Sequence, residues 1–428
     1  MLKQLILENW KSFRYAELPL DPLTVLIGTN ASGKSNVVEA LEFLQRIARG
    51  ENIEVALAGD KTLSSIRGGV EWTARKPETE FTLKALVQLE DEQTDYLYIL
   101  KVQTIPEVKV IQEYIEYQTL NENNEIVYDQ IDIKNDNFPV KSGFKFSRDY
   151  LKLNELLQLK INASLQTDLE DNIEKINNDI LSLIERLNNK FVQITDKLKS
   201  SIVSTLENIL ILNPIASNMR NYSPLADTLA SDASNIAGVL ATLPDDQKAE
   251  VELTLSTYLK DLPEGDIKKV WSEKVGRFGT DAMLYCQEEW KPGENTEIDA
   301  RSMSDGTLRF LAILTALLIR PEGSQIVIEE IDNGLHPSRA KLLVKILREI
   351  GSQRNIDILL TTHNPALLDA LSPEIVPFVV VAHRDSETGE SKLTLLEDID
   401  NFPKLFASYS LGEMTTKGAI ERSLSHGK

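Results

Sequence analysis

Apolar residues recur along this chain at two periods, and the period switches where the architecture is expected to change. Leu2–Trp10 reads as a strand, and Lys11, Ser12, Phe13 and Arg14 turn it into a second strand over Ala16–Leu20. Pro22 leads into the unbroken aliphatic strand Leu23–Ile27. A Gly-rich loop follows, then a helix whose apolar positions Val37, Val38, Leu41, Leu44 and Ile47 step by three and four until Gly50. Ser65–Gly69 reads as a loop. Alternation at period two over Glu80–Leu89, Asp95–Gln103 and Val110–Leu120 predicts an antiparallel sheet, with Asn121–Asn124 as a hairpin turn.

From Leu151 the period becomes helical. Leu165, Leu169, Ile173 and Ile176 begin a stripe that runs on to Phe191, Ile194 and Leu198, close to a coiled-coil seam. One continuous helix over this stretch would be about 80–90 Å long, and a hairpin broken at Asn188-Asn189 about half that. The stripe fits equally a helix lying on its own domain and a projecting arm. Asn213-Pro214 closes the helical part, Ala226–Leu243 reads as a helix of small residues, and Ala282–Glu289 returns to strand. These changes divide the chain into an N-terminal lobe (1–150), a helical insertion (151–212) and a C-terminal lobe (213–428). Ser423–Lys428 reads as a loose end.

Composition narrows the classes. Hydrophobic residues make up 42% of 428 positions, ample for a sizeable core. A formal charge of −20 disfavours a protein coated by nucleic acid, although a local basic strip is compatible with it. Cys286 is the single cysteine, so no intrachain disulfide can form and a thiolate metal site is not expected. The longest apolar run, Phe310–Ile319, falls short of the roughly 20 residues that span a bilayer. With no targeting segment ahead of the first strand, a soluble cytoplasmic protein without a membrane partner is expected.

The chemistry starts at Gly28-Thr29-Asn30-Ala31-Ser32-Gly33-Lys34-Ser35, a GxxxxGKS loop between strand and helix. Gly28 and Gly33 allow backbone angles that let successive N–H groups converge on phosphate oxygens, and the helix directs its positive end at the same charge. Lys34 would reach the β and γ phosphates, and Ser35 would take one Mg²⁺ position.

Three later clusters accompany this loop. In Arg301–Thr307, a Ser304-x-Gly306 turn feeds the apolar helix Leu308–Ile319, a second anion-binding device. In Gln325–Pro337, an apolar strand ends in Glu329 and Glu330. Alternation along a strand would give these carboxylates different tasks, Glu329 toward Mg²⁺ and Glu330 toward the attacking water. Ile358–Pro365 places His363 at the end of another buried strand, where α/β folds bind ligands, within reach of a γ-phosphate or water. His336 and His383 read as structural or surface residues, and His426 lies in the tail.

In this order the motifs closely resemble the ATP-binding-cassette ATPases. That resemblance implies an α/β head: a mixed, mostly parallel P-loop core sheet, an antiparallel β subdomain and a coiled-coil-like insertion. It makes Ser304 and Gly306 the signature motif, Glu329-Glu330 the Walker B pair with its catalytic Glu, Asn333 part of the D-loop and His363 the switch histidine. The cofactors implied are ATP and Mg²⁺. By position, Lys11 corresponds to a basic residue that touches nucleotide in the SMC-like repair ATPases, and Asn30, Ala31, Ser32 and Asn36 belong to the nucleotide loop.

Ser35 and Ser304 lie 269 residues apart (304 − 35), far beyond a transporter subunit's spacing. The gap resembles the SMC, RecF and OLD (overcoming-lysogenization-defect) branch. The wording "MSDGTLRFLAILTALL", "IVIEEIDNGLHP" and "LLTTHNPALLD" is especially similar to OLD-related AAA-family ATPases of bacterial defence systems. Three departures stand out. Glu329 replaces the usual Asp, only Gln88 offers itself as a Q-loop residue, and the 65 residues after His363 (428 − 363) leave no room for the Toprim nuclease domain of OLD proteins. The resemblance therefore implies a homodimer that sandwiches ATP, with Ser304 and Gly306 acting in trans, and a separate effector protein such as a nuclease. A RecF-like DNA-binding repair ATPase is the alternative, and a transporter subunit a weaker one. A kinase or GTPase lacks support, since no guanine-reading motif or phosphoacceptor site is evident.

Overall fold

A computed structural model describes residues 1–89, 95–120, 126–132, 196–263, 265–291, 293–334, 336–371 and 373–426. Most of the predicted helical seam, its Asn188-Asn189 break and the Asn121–Asn124 turn lie outside these residues.

The centre is a six-stranded sheet in the order Ser391–Leu395, Val379–Arg384, Leu23–Ile27, Asp357–Thr361, Gln325–Ile328, Ile209–Leu212. All neighbours run parallel except the first pair. Leu23–Ile27, Gln325–Ile328, Asp357–Thr361 and Ile209–Leu212 are buried at every position, which is why they read as solid apolar runs and not as alternation.

Alternation survives inside them in another form. Val25, Ile27, Ile326, Ile328, Ile358 and Leu360 enter one core, while Leu26, Val327 and Leu359 enter a second. The sheet is the wall between two hydrophobic cores. The helix Lys34–Ala48 contributes Val37, Leu41 and Leu44 to the second core; Asp305–Ile319 and Ala340–Gln353 fill the first. The two helices that follow the Gly-rich turns therefore pack on opposite faces of the same sheet.

A second six-stranded sheet, Phe13–Pro19, Leu2–Trp10, Glu80–Gln88, Asp95–Gln103, Lys109–Leu120, Ile126–Asp132, is antiparallel throughout. A third, smaller one joins Ile267–Val275, Asp281–Lys291 and Glu294–Asp299. Packing of Trp10, Phe43 and Phe81, with ring centroids 4.9–5.9 Å apart, locks the antiparallel sheet to the P-loop helix.

Several expectations change. Residues 209–212, read with the helical insertion, are an edge strand of the core sheet; the helix before them spans 196–207 and buries Leu198, Ile202 and Leu206 in the second core. Four apolar residues between a helix and a Pro carry no period that distinguishes strand from helix. Helix in 226–243 is confined to Ile236–Thr242. At the other end, helix Ala419–His426 takes in most of the expected loose tail.

Candidate nucleotide site

The register of the core sheet sets Leu26 opposite Thr361, and Ile328 opposite Leu360, so three loops leave the sheet side by side at its carboxyl edge. The P-loop follows Leu23–Ile27. Gly28 adopts φ +145°, and a Cβ there would stand 2.2 Å from the Ala382 carbonyl oxygen. Ala31 is held at φ +62°, with its carbonyl accepting from Arg384 Nε at 3.0 Å. Gly33 (φ +117°) precedes the helix and supplies no side-chain cap, so the first-turn amides keep no intrahelical partner. Ser32 Oγ is buried without a hydrogen-bond partner, and Thr29 and Asn30 are exposed at the rim. An uncapped cradle, an orphaned buried hydroxyl and close backbone packing fit a polyphosphate.

Lys34 Nζ folds over this loop, donating to the carbonyls of Gly28 at 2.6 Å and Thr29 at 3.0 Å. Burial lowers its pKa, while Glu330, Asp332 and Glu329 pull it back up. Ser35 Oγ donates to Glu329 Oε1 at 2.5 Å, a contact between residues 294 positions apart. The hydroxyl and carboxylate form a hard oxygen pair of the kind that holds Mg²⁺ beside substrate phosphates. No cluster of three or more His, Cys, Asp or Glu able to hold a metal occurs among the described residues.

Glu329 and Glu330 are not separated by strand alternation. The strand ends at Ile328, and Glu330 takes φ +48°. That left-handed residue reverses the chain and exposes its own carboxylate, whereas Glu329 stays half-buried beside Ser35. Thr361 Oγ1 accepts the Glu330 N–H at 2.8 Å, and the next N–H, of Ile331, reaches the Thr361 carbonyl at 3.1 Å. Thr362 Oγ1 donates to Asp332 at 2.5 Å. His363 follows directly, exposed and without a hydrogen-bond partner among the described residues. Asn333 donates its N–H to the Glu330 carbonyl at 2.8 Å and is exposed.

Lys11, in a left-handed turn at φ +52°, bonds Glu39 Oε2 and donates to the Arg67 carbonyl at 2.9 Å. Burial lowers its pKa despite the Glu39 carboxylate. Glu39 Oε1 accepts from Arg67 Nε at 2.8 Å, and Arg67 stands 3.9 Å from Glu329. Sequence reasoning missed Glu39, Arg67, Thr361 and Arg384. Glu39 is buried on the helix at 7% exposure, and Arg67 lies in the Ser65–Gly69 loop, whose sequence carries no nucleotide-binding motif. Asn36 turns to Ser12, donating to its Oγ at 2.7 Å.

Gln88 does not join this site. Its N–H bonds the Met1 carbonyl, and it pairs near Leu2, at the far end of the strand whose other end, Trp10, touches Asn36 at 2.7 Å. The nine-residue strand Leu2–Trp10 puts roughly 25 Å between them. His336 is exposed and bonded to Ser338 at 2.8 Å, and His383 bonds Thr394 at 3.0 Å.

The Ser304-x-Gly306 turn heads a helix on the opposite face of the sheet from the Lys34–Ala48 helix. Ser304 caps Asp305–Ile319, accepting from the Thr307 N–H at 3.1 Å, and remains exposed. Gly306 packs so tightly that a Cβ would stand 2.9 Å from the carbonyl of Gly334, one residue past Asn333. The Ser304–Gly306 turn and the turn at Asn333-Gly334 thus touch within one chain. Ser35 and Glu329 are in contact, whereas Ser304 and Gly306 head the helix on the other face of the sheet.

Residues 23–369 match the family model described as "AAA domain, putative AbiEii toxin, Type IV TA system". No curated protein matches the chain. Among solved structures, the SMC head domain from Thermotoga maritima is similar at 13% identity, covering 92% of this chain and 98% of that one, with a TM-score of 0.43. An Smc head bound to the C-winged helix domain of ScpA gives 13% identity, 92% and 96% coverage and a TM-score of 0.49. An Smc head with an extended coiled coil, bound to the C-terminal domain of ScpA and derived from Pyrococcus furiosus, gives 14%, 95% and 100%, and 0.45. No helix among the described residues is long and apolar enough to cross a membrane.

Proposed function

From a chain that belongs to the AAA-domain family over residues 23–369, we propose a Mg²⁺-dependent ATP hydrolase that works as a head-to-head dimeric switch on a separate effector. The observation that carries the hydrolase is the 2.5 Å contact of Ser35 with Glu329, which joins the P-loop to the acidic turn across the core sheet. Bound Mg-ATP would supply the phosphoanhydride to be cleaved. Lys34 and the first-turn amides hold the phosphates, and Ser35 with Glu329 holds the cation. Glu330, turned outward at φ +48°, takes the proton of the attacking water, and His363 beside it hydrogen-bonds the γ-phosphate or that water.

The dimer rests on a different observation. Ser304 and Gly306 head a helix that packs on the opposite face of the sheet from the helix that Lys34 begins. Ser304 is exposed, so a second copy can present it to the phosphates held by the first. Hydrolysis then removes the bridge and opens the pair, an order change of the kind nucleotide switches use. The OLD-like wording of the motifs, and a family description that names a type IV toxin–antitoxin system, support a defence setting with a nuclease or other toxic effector as the controlled partner.

Glu330→Gln tests this reading. The variant is expected to bind ATP, to lose turnover and to accumulate as an ATP-dependent dimer on sizing chromatography with light scattering. A variant that stays monomeric at saturating ATP would remove the sandwich from the mechanism.

A further inference from the structure

An open cleft of ≈ 610 Å³ extends from the first turn of the P-loop helix to the segment that follows Arg67, with Ser12, Asn36, Gly68, Trp72, Arg75 and Arg384 in its lining. Trp72 is 59% exposed there, while Trp10 on the neighbouring strand is fully buried. The segment that presents the indole is firmly held. The Lys11 N–H donates to the Thr73 carbonyl at 2.8 Å, the Arg75 N–H donates to the Asn9 carbonyl at 2.8 Å, and Thr73 Oγ1 donates to the Gly69 carbonyl at 2.6 Å. Gly68 sits at φ +84°, and a Cβ on it would stand 2.7 Å from Trp72 Cβ, so the turn is shaped around this side chain.

The charges nearby are largely committed. Arg75 pairs with Glu390 at 2.7 Å, and Arg384 bonds the Ala31 and Gly389 carbonyls. Lys76 Nζ stands 5.7 Å from the Trp72 ring centroid. A large indole held outward by a rigid turn, with a cation beside it and Asn36, on the first turn of the helix that follows the Gly-rich loop, in the same cleft, suits a flat aromatic ligand that carries negative charge.

We propose that Trp72 is the stacking platform for the base of the nucleoside triphosphate whose phosphates residues 28–36 hold. The assignment rests on reading that loop as the nucleotide site and adds to it the group that recognises the nucleoside. A π-face accepts any base, so Trp72 raises affinity for nucleotides over bare polyphosphate and leaves the choice among bases to other groups.

Calorimetric titration of the full chain with ATP and, separately, with inorganic tripolyphosphate tests this. Trp72→Ala is expected to weaken ATP binding on the order of 10- to 100-fold, the range of base–aromatic stacking, and to leave tripolyphosphate binding unchanged. Trp72→Phe is expected to restore most of the loss. ATP binding of Trp72→Ala equal to that of the wild type would overturn the proposal. So would an equal loss for ATP and tripolyphosphate, which would make Trp72 a support of the loop. Lys34→Ala, titrated in parallel, separates the two readings: if it weakens neither ligand, the phosphate site itself is misplaced; if it weakens both while Trp72→Ala is silent, only the platform fails.

Discussion

Two helices of equal length begin at Gly-containing turns, and they are built in opposite ways. Lys34–Ala48 starts after a left-handed glycine, has no side-chain cap and carries no acid in its first turn. Asp305–Ile319 starts with Ser304 bonded to the Thr307 N–H, a further 2.8 Å contact between their hydroxyls, and Asp305 in its first turn paired with Arg220 at 2.6 Å. The first N-terminus is incomplete alone, and its dipole and free amides call for an anion. The second has one first-turn amide, that of Thr307, satisfied by its own Ser304. Stability and binding are therefore coupled at the first helix and separable at the second.

Gly28→Ala attacks the first helix where it is least tolerant. The added methyl meets the Ala382 carbonyl at 2.2 Å in a left-handed backbone, for a cost of about 2–5 kcal/mol from strain plus overpacking. Urea unfolding should show that loss, and calorimetry should show ATP binding abolished; a variant that binds normally would mean the cradle is not the phosphate site.

Ser304→Ala addresses the second helix. Loss of the cap should lower stability by about 1 kcal/mol while the protein still binds ATP. The same change placed in the Glu330→Gln background should abolish ATP-dependent dimers. If Ser304→Ala weakens ATP binding by the unassembled protein as severely as Gly28→Ala does, the contrast between the two turns disappears.

The smallest effect concerns charge. Burial holds the Lys34 pKa below its ordinary 10.5, so at pH values between the two the unfolded chain binds more protons than the folded one. Stability then rises with pH through that window, and the penalty of burying the ammonium is largest at neutral pH. Relative to Lys34→Met, which has nothing to titrate, the wild type should gain stability as the pH rises toward 10.5. A flat difference in urea midpoints would show that the amine is not desolvated.

Much of this site was legible before any coordinates. The GxxxxGKS loop, the acidic pair and His363 each sit where a buried strand ends, and a run of β-branched residues closed by Gly or by charge announces such an end. Less visible was the division of labour between Glu329 and Glu330. Alternation suggested it, but a left-handed turn at Glu330 produces it, and no residue type at that position signals φ +48°. Glu39 and Arg67 were silent for a related reason: a carboxylate on a helix and an arginine in a loop gain meaning only when they meet each other and Lys11, from the turn after the first strand. The strand Ile209–Leu212 was absorbed into the helical stretch because four residues are too few to show a period.

Properties that arise within some ten consecutive residues were therefore already contained in the amino-acid order: the strand, the cradle, the uncapped helix and the capped one. These depend on backbone freedom, hydrogen-bond donors and periodicity, all of them local. Whether Ser35 meets Glu329, whether Trp72 faces the same cleft as Asn36, and on which side of the sheet Ser304 emerges were decided by strand register and by the alternation that sends neighbouring side chains into two different cores. Folding alone resolves such relations, because they join positions from tens to hundreds of residues apart through packing, and packing leaves no mark on either partner taken singly.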